Sequence, residues 1–117
     1  MNVYGKQASA FVGLIGGRWT LMMLTELGPG GRRYQDLHAA LEGISHKVLT
    51  DTLRRAERDG LIGRSLDSAR IDRAQLYELT ELGRSLEEPL AALGRWVDDN
   101  ADRVKVAQRS WDDRALS

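Results

Sequence analysis

The chain has 117 residues, room for one domain; 42 % are apolar, 29 % charged and only two are proline, a composition that excludes wholesale disorder. No apolar run nears the ~20 residues a membrane-crossing helix needs, and the first fifteen residues lack the basic start, apolar stretch and cleavage site of a secretory leader. Cysteine is absent, which removes disulfide scaffolds, thiolate zinc sites and thiol redox sensing and makes the cytoplasm the expected compartment, while 17 basic and 17 acidic residues leave a net charge of zero.

Ala8, Phe11, Val12 and Ile15 recur at helical spacing and predict a first helix over 7–15, broken by Gly16 and Gly17. Trp19, Met22, Met23 and Leu27 repeat the pattern for a second helix, closed by Gly28 and the Pro29-Gly30-Gly31 loop. Leu37, Ala40 and Leu41 mark a short third helix that stops near Gly43. Ser45 is a good N-cap for a fourth, whose rear carries Leu49, Leu53 and Ala56 and which ends at Gly60. The texture then changes. Residues 61–66 suit a strand, 67–74 are rich in arginine and aspartate, and Tyr77 and Leu79 alternate within 75–79. Together these predict a β-hairpin with a charged tip.

Thr80 can cap a long helix carrying Leu82, Leu86, Leu90, Leu93 and Val97, with Pro89 expected to kink it. Ala101, Val104, Gln108 and Trp111 suggest a further, final helix with an apolar stripe too thin for a core element and suited to packing on a partner chain. The fold class is therefore mainly α with a small β-hairpin, a winged helix-turn-helix that dimerises through its terminal helices. Its domain organisation reads as one domain over 1–117, with 98–117 a helical extension for dimerisation.

The charge is unevenly spread. Between Gly31 and Arg73 arginine and lysine outnumber the acids; between Glu81 and Asp102 the acids dominate. A neutral chain can thus present a basic face, although a mixed solvated surface explains the same residues. The helix opened by Ser45 has an apolar back and a front of His46, Lys47, Thr50, Asp51 and Arg54, the pattern of a helix that enters a major groove while anchored to a core.

Five segments, in order, carry a resemblance. Leu14-Ile15-Gly16-Gly17-Arg18-Trp19-Thr20-Leu21, then Arg33-Tyr34-Gln35-Asp36-Leu37, Gly43-Ile44-Ser45-His46-Lys47-Val48-Leu49-Thr50, the run 53–62 and Tyr77-Glu78-Leu79-Thr80-Glu81-Leu82-Gly83 resemble HxlR-type transcriptional regulators, similar in fold to MarR-type regulators, over about 8–97. The resemblance implies a dimeric winged helix protein on a pseudo-palindromic operator in double-stranded DNA. By position it makes the helix from Ser45 to Asp59 the recognition helix, 67–74 the wing tip, and Arg33 a contact to backbone phosphate. The chain departs from the family in lacking an N-terminal cysteine and in carrying Arg70, Asp72, Arg73 and Ala74 where many wings contain proline.

The expected DNA-binding residues are Arg33, Ser45, His46, Lys47, Thr50, Arg54, Arg70 and Arg73. His46, Lys47 and Thr50 are expected to read base edges, Ser45 chiefly to cap, Arg33 and Arg54 to meet phosphates, and Arg70 and Arg73 to reach a minor groove. Phe11, Trp19, Met22, Met23, Trp96 and Trp111 could line a pocket for a small apolar or aromatic effector, but the simpler reading of their helical spacing is core and dimer-interface residues. No cofactor or metal is expected: His38 and Glu42 share a helical face without a third ligand. The glycines at 28, 30 and 31 follow a helix, not a strand, and no nucleophile–base pair stands out, so an enzyme is not expected. A winged helix used only for protein–protein contact is the alternative, distinguished by whether the basic cluster matters.

Overall fold

The structure, a computed structural model, describes residues 17–66 and 75–116. The expected helix over 7–15 and the wing tip over 67–74 lie outside the described residues, and with them Phe11, Arg70 and Arg73. The chain falls into two compact units, one ending at Arg84 and one beginning at Ser85.

In the first unit α1 spans Arg18–Leu27, α2 Tyr34–Ala40 and α3 His46–Arg58; β1 (Ile62–Leu66) and β2 (Gln75–Leu79) follow, then a single turn, α4, over Glu81–Arg84. The strands pair antiparallel with Ile62 opposite Leu79, Arg64 opposite Tyr77 and Leu66 opposite Gln75. Arg32 adds a third lane to this ribbon. Its N–H donates to the Tyr77 carbonyl at 2.9 Å and its carbonyl accepts from Tyr77 at 2.8 Å.

The core is aliphatic. Met23 and Leu27 from α1, Leu37 and Leu41 from the α2 region, Leu49, Leu53 and Ala56 from α3, and Leu61, Ile62 and Leu79 around the hairpin are all buried. The rear face of α3 expected from spacing is thus its buried face, and each of its leucines removes an amount of surface worth roughly 1.5–3 kcal/mol.

Two local devices fix the path out of α3. Gly60 has φ +77°, and the Gly60 and Leu61 N–H groups donate to the carbonyls of Glu57 and Ala56 at 3.0 and 2.9 Å. This crossed pair satisfies carbonyls that the helix end leaves open, and the left-handed residue between them favours glycine. Then Thr80 Oγ1 accepts from the Gly83 N–H at 3.0 Å and donates to the Gly60 carbonyl at 2.6 Å, tying α4 to the end of α3. A Cβ on Gly83 would collide with the Leu61 carbonyl, so glycine is required at this close approach.

The second unit is one helix, α5, spanning Glu87–Leu116. Here two expectations are corrected. Thr80 caps only the short α4; the chain leaves helical geometry at Ser85 and Leu86 and restarts, so Pro89 does not kink a helix interior. Pro89 is the third residue of α5, where an N–H has no intrahelical acceptor to lose and its ring meets no helical carbonyl at Ser85. Nor is there a separate last helix: Ala101, Val104, Gln108 and Trp111 continue α5 without a break. No residue of α5 is buried. No described helix is long and apolar enough to cross a membrane.

Candidate nucleic-acid interface

Because α3 is anchored by Leu49, Leu53 and Ala56, its other side is left to solvent. Ser45, His46, Lys47, Arg54, Arg55 and Arg58 are all exposed. Ser45 is the N-cap: its Oγ accepts from the Val48 N–H at 3.1 Å. That satisfies one of the open donors of the first turn and sets the angle at which His46 and Lys47 leave the helix. Among the described residues neither Lys47 nor Arg54 has a hydrogen-bond or ion-pair partner.

The start of α2 is brought against the start of α3 by Tyr34. Its hydroxyl donates to the His46 carbonyl at 3.2 Å and lies 3.1 Å from His46 Nδ1 and 3.3 Å from Thr50 Oγ1. The His46 ring also stacks on His38, with centroids 3.9 Å apart and planes within 6°. His46 is therefore held by Tyr34 and by His38 while the residue as a whole remains exposed. Restricting a side chain in advance reduces the entropy it loses on meeting a ligand.

Arg33, the residue before α2, is carried to the same end of the molecule by this contact. Its Nε lies 3.5 Å from Asp36, a half-exposed pair that solvent screens and a phosphate can displace. Arg32 differs. Its guanidinium is held by Glu26 at 3.1 Å and its backbone belongs to the ribbon, which makes it an anchor for the hairpin. Thr50 is half-buried and faces Tyr34, so only part of it is open to a partner.

The structure thus brings together Ser45, His46, Lys47, Thr50 and Arg33 at one end of the α2–α3 pair, with Arg54 two turns along. Reading the sequence alone missed two contributors. Tyr34 positions His46 and Thr50 from 12 and 16 residues away. Arg64 of β1 pairs with Glu57 at 3.1 Å, so Glu57 is engaged across elements and not by Arg58. The only signal for Tyr34 was its place in the 33–37 segment; nothing marked Arg64.

The aromatic and methionine group scatters. Met23 is fully buried in the core, Met22 and Trp19 are half-buried on α1, and Trp96 and Trp111 are exposed on α5. Among the described residues no group of three or more metal-ligating side chains forms.

Residues 14–105 match the family model described as HxlR-like helix-turn-helix. The chain belongs to this family. It is 36 % identical over 101 residues to the HTH-type transcriptional regulator YtcD of Bacillus subtilis (strain 168), covering 86 % of this chain and 79 % of that relative. It is 33 % identical over 98 residues to the HTH-type transcriptional regulator YtfH of Escherichia coli (strain K12), covering 84 % and 75 %. Among solved structures it resembles the redox regulator HypR in its reduced form, at 26 % identity and a TM-score of 0.76 over 86 % of this chain and 99 % of that one. A MarR-family regulator from Enterococcus faecalis V583 aligns at 34 % identity with a TM-score of 0.72, over 90 % and 96 %. The chain is accordingly a transcriptional regulator of HxlR type with a winged helix fold, and DNA binding follows from the helix-turn-helix. The 117 residues include no cysteine. The match also runs past residue 97, well into α5.

Proposed function

We propose that the protein acts as a homodimer on a pseudo-palindromic operator, each copy placing α3 in a major groove and its hairpin beside the adjacent minor groove. The observation that carries this reading is the division of α3: one face is locked in the core, and the other offers His46 and Lys47 on its first turn with Arg54 behind them. Lys47 and His46 read base edges, Thr50 contributes its methyl group, and Arg33 and Arg54 neutralise phosphates. Arg70 and Arg73 of the wing tip serve the minor groove.

The second copy is recruited by α5. Thirty residues at 1.5 Å each make a rod of about 45 Å. Leu90, Val97, Val104 and Trp111 repeat every seven residues along it, with Leu93 between, and Val97, Val104 and Trp111 are exposed. A seven-residue apolar repeat along an unburied helix is the seam of a helix pair, and Trp111 is its terminal anchor. A two-fold partner is also what a palindromic site demands. The two units then work as one regulatory module over 1–117. A small apolar or aromatic effector would act by binding one spacing of the two recognition helices better than another.

The test is fluorescence anisotropy with a labelled duplex taken from the DNA flanking the protein's own coding region, against a scrambled duplex, over a salt series. Tighter binding to the first duplex is expected, with log affinity falling by roughly 0.9 per phosphate neutralised for each unit of log salt. Equal affinity for both duplexes at every salt concentration refutes sequence-specific binding.

A further inference from the structure

α3 carries two acids, and the fold treats them differently. Glu57 is bound by Arg64 of the hairpin, Nε to carboxylate, at 3.1 Å. Asp51 has Lys47 four residues before it and Arg54, Arg55 and Arg58 three, four and seven residues after it. Yet among the described residues no hydrogen bond or ion pair reaches its carboxylate. At about 100° per residue, Lys47, Asp51, Arg54 and Arg58 fall within an arc of roughly 60°. That arc lies opposite the buried Leu49, Leu53 and Ala56, so Asp51 stands on the face turned away from the core. A carboxylate there repels phosphate and weakens contact with DNA of every sequence. The same charge raises selectivity if one base edge offers it a donor and the others do not.

We infer that Asp51 is a specificity-determining residue, accepting a hydrogen bond from the N4 amino group of one cytosine in each operator half-site. An ionised carboxylate only accepts. In the major groove guanine presents two acceptors, N7 and O6, and thymine presents the O4 acceptor and a methyl group. Adenine sets its N6 amino group beside the N7 acceptor, whereas cytosine presents the N4 amino group alone. Asp51 therefore opposes guanine and thymine outright and adenine in part, and takes cytosine without opposition. The flanking Lys47, Arg54 and Arg58 keep the surrounding potential positive, so the acid is carried to the base edges by neighbours that hold the backbone. This role rests on the placement of α3 in a major groove proposed above. What it adds is the base selected and a residue that acts by rejection as well as by contact.

The experiment uses the full chain and a pool of duplexes with a randomised central stretch. Bound duplexes are recovered and sequenced for wild type, Asp51→Ala and Asp51→Asn. Wild type should enrich a two-fold-symmetric motif with a C·G pair at one fixed position of each half-site. Asp51→Ala should lose the preference at that position and keep the rest of the motif. Asparagine has nearly the same shape but sets a donor beside an acceptor, the pattern that matches adenine N6 and N7, so Asp51→Asn should move the preference there toward adenine. Anisotropy then compares the wild-type motif with one in which that single pair is changed to A·T. Wild type should prefer the first by roughly tenfold, and Asp51→Ala should bind the two alike. Both variants should also bind scrambled duplex more tightly than wild type, because a charge that repels phosphate is gone. Circular dichroism checks that each variant is folded, and should one fail to fold, the other decides. The assignment is overturned if the variants reproduce the wild-type motif at every position, or if affinity changes by one factor for all sequences, as it would were Asp51 only orienting its neighbours. Either result leaves the regulator reading standing. A wild-type pool that enriches no sequence overturns that reading and the assignment with it.

Discussion

Tyr34→Phe isolates the positioning of the recognition helix from everything else in the fold. The substitution keeps the ring, and with it the contacts at the α2–α3 junction, and removes one oxygen that sits 3.1 Å from His46 Nδ1, 3.2 Å from the His46 carbonyl and 3.3 Å from Thr50 Oγ1. A hydroxyl has one proton to donate, so these three approaches do not add as three bonds. The site is also open enough for water to replace part of what is lost. The net cost to folding is therefore about one hydrogen bond, ~0.5–1.5 kcal/mol, read as a lower midpoint in urea with an unchanged slope. The cost to operator recognition has a different origin. His46 is left with its stack on His38 but without its hydroxyl partner, and must be ordered when DNA arrives. Operator affinity is expected to fall by ~1 kcal/mol, about fivefold, while affinity for scrambled DNA, dominated by phosphates, changes little. The measurement is anisotropy on both duplexes for wild type and variant at one salt concentration. If the two affinities fall by the same factor, or neither moves while stability drops as expected, Tyr34 is only a structural brace and the argument for a pre-set His46 fails.

Other consequences are more local. Lys47→Ala should relax sequence preference by ~1–3 kcal/mol, seen as a shrinking ratio between operator and scrambled affinities; an unchanged ratio removes Lys47 from the base-reading set. Arg33→Ala should weaken both duplexes alike and flatten the salt slope by about one unit, and a slope that stays put shows that Arg33 touches no phosphate. Gly83→Ala drives a methyl group into the Leu61 carbonyl, which already accepts from the Thr80 N–H at 3.0 Å, so the α4 junction must shift. We expect a loss of ~1–3 kcal/mol and a melting temperature lower by several degrees or more; a variant that melts with wild type would mean that the junction yields freely. Deleting 104–117 removes only exposed residues at its described positions and should leave the first unit folded while shifting sedimentation toward monomer. A dimer that survives this deletion refutes the helix-pair seam.

What could be read in advance, and what could not, follows from the range over which side chains act. Ser45 and Gly60 announce the ends of α3 because capping is settled within three or four residues, and Leu49, Leu53 and Ala56 mark its buried face because helical periodicity is local too. The hairpin was legible for the same reason: Tyr77 and Leu79 alternate, and the register pairs Ile62 with Leu79. Pro89 misled because the rule against proline applies to a helix interior, and where a helix starts is decided by the chain before it. The turn at 81–84 ends before Ser85, and the restart at Glu87 makes Pro89 a first-turn residue.

The interface itself shows the same division, and it bears on how recognition is built. The proposed readers, His46 and Lys47, lie on one helix turn and are visible as a polar front. The group that positions His46 is not local: Tyr34 reaches it across 12 residues, and further along α3 Glu57 is likewise met by Arg64 of the hairpin. Both side chains line the cleft beside α3, so the residues that the spacing could not supply are the ones that join α3 to its neighbours. A mutation on the exposed front should therefore change which DNA is bound. One at Tyr34 should change how firmly that front is held while leaving its own chemistry unaltered.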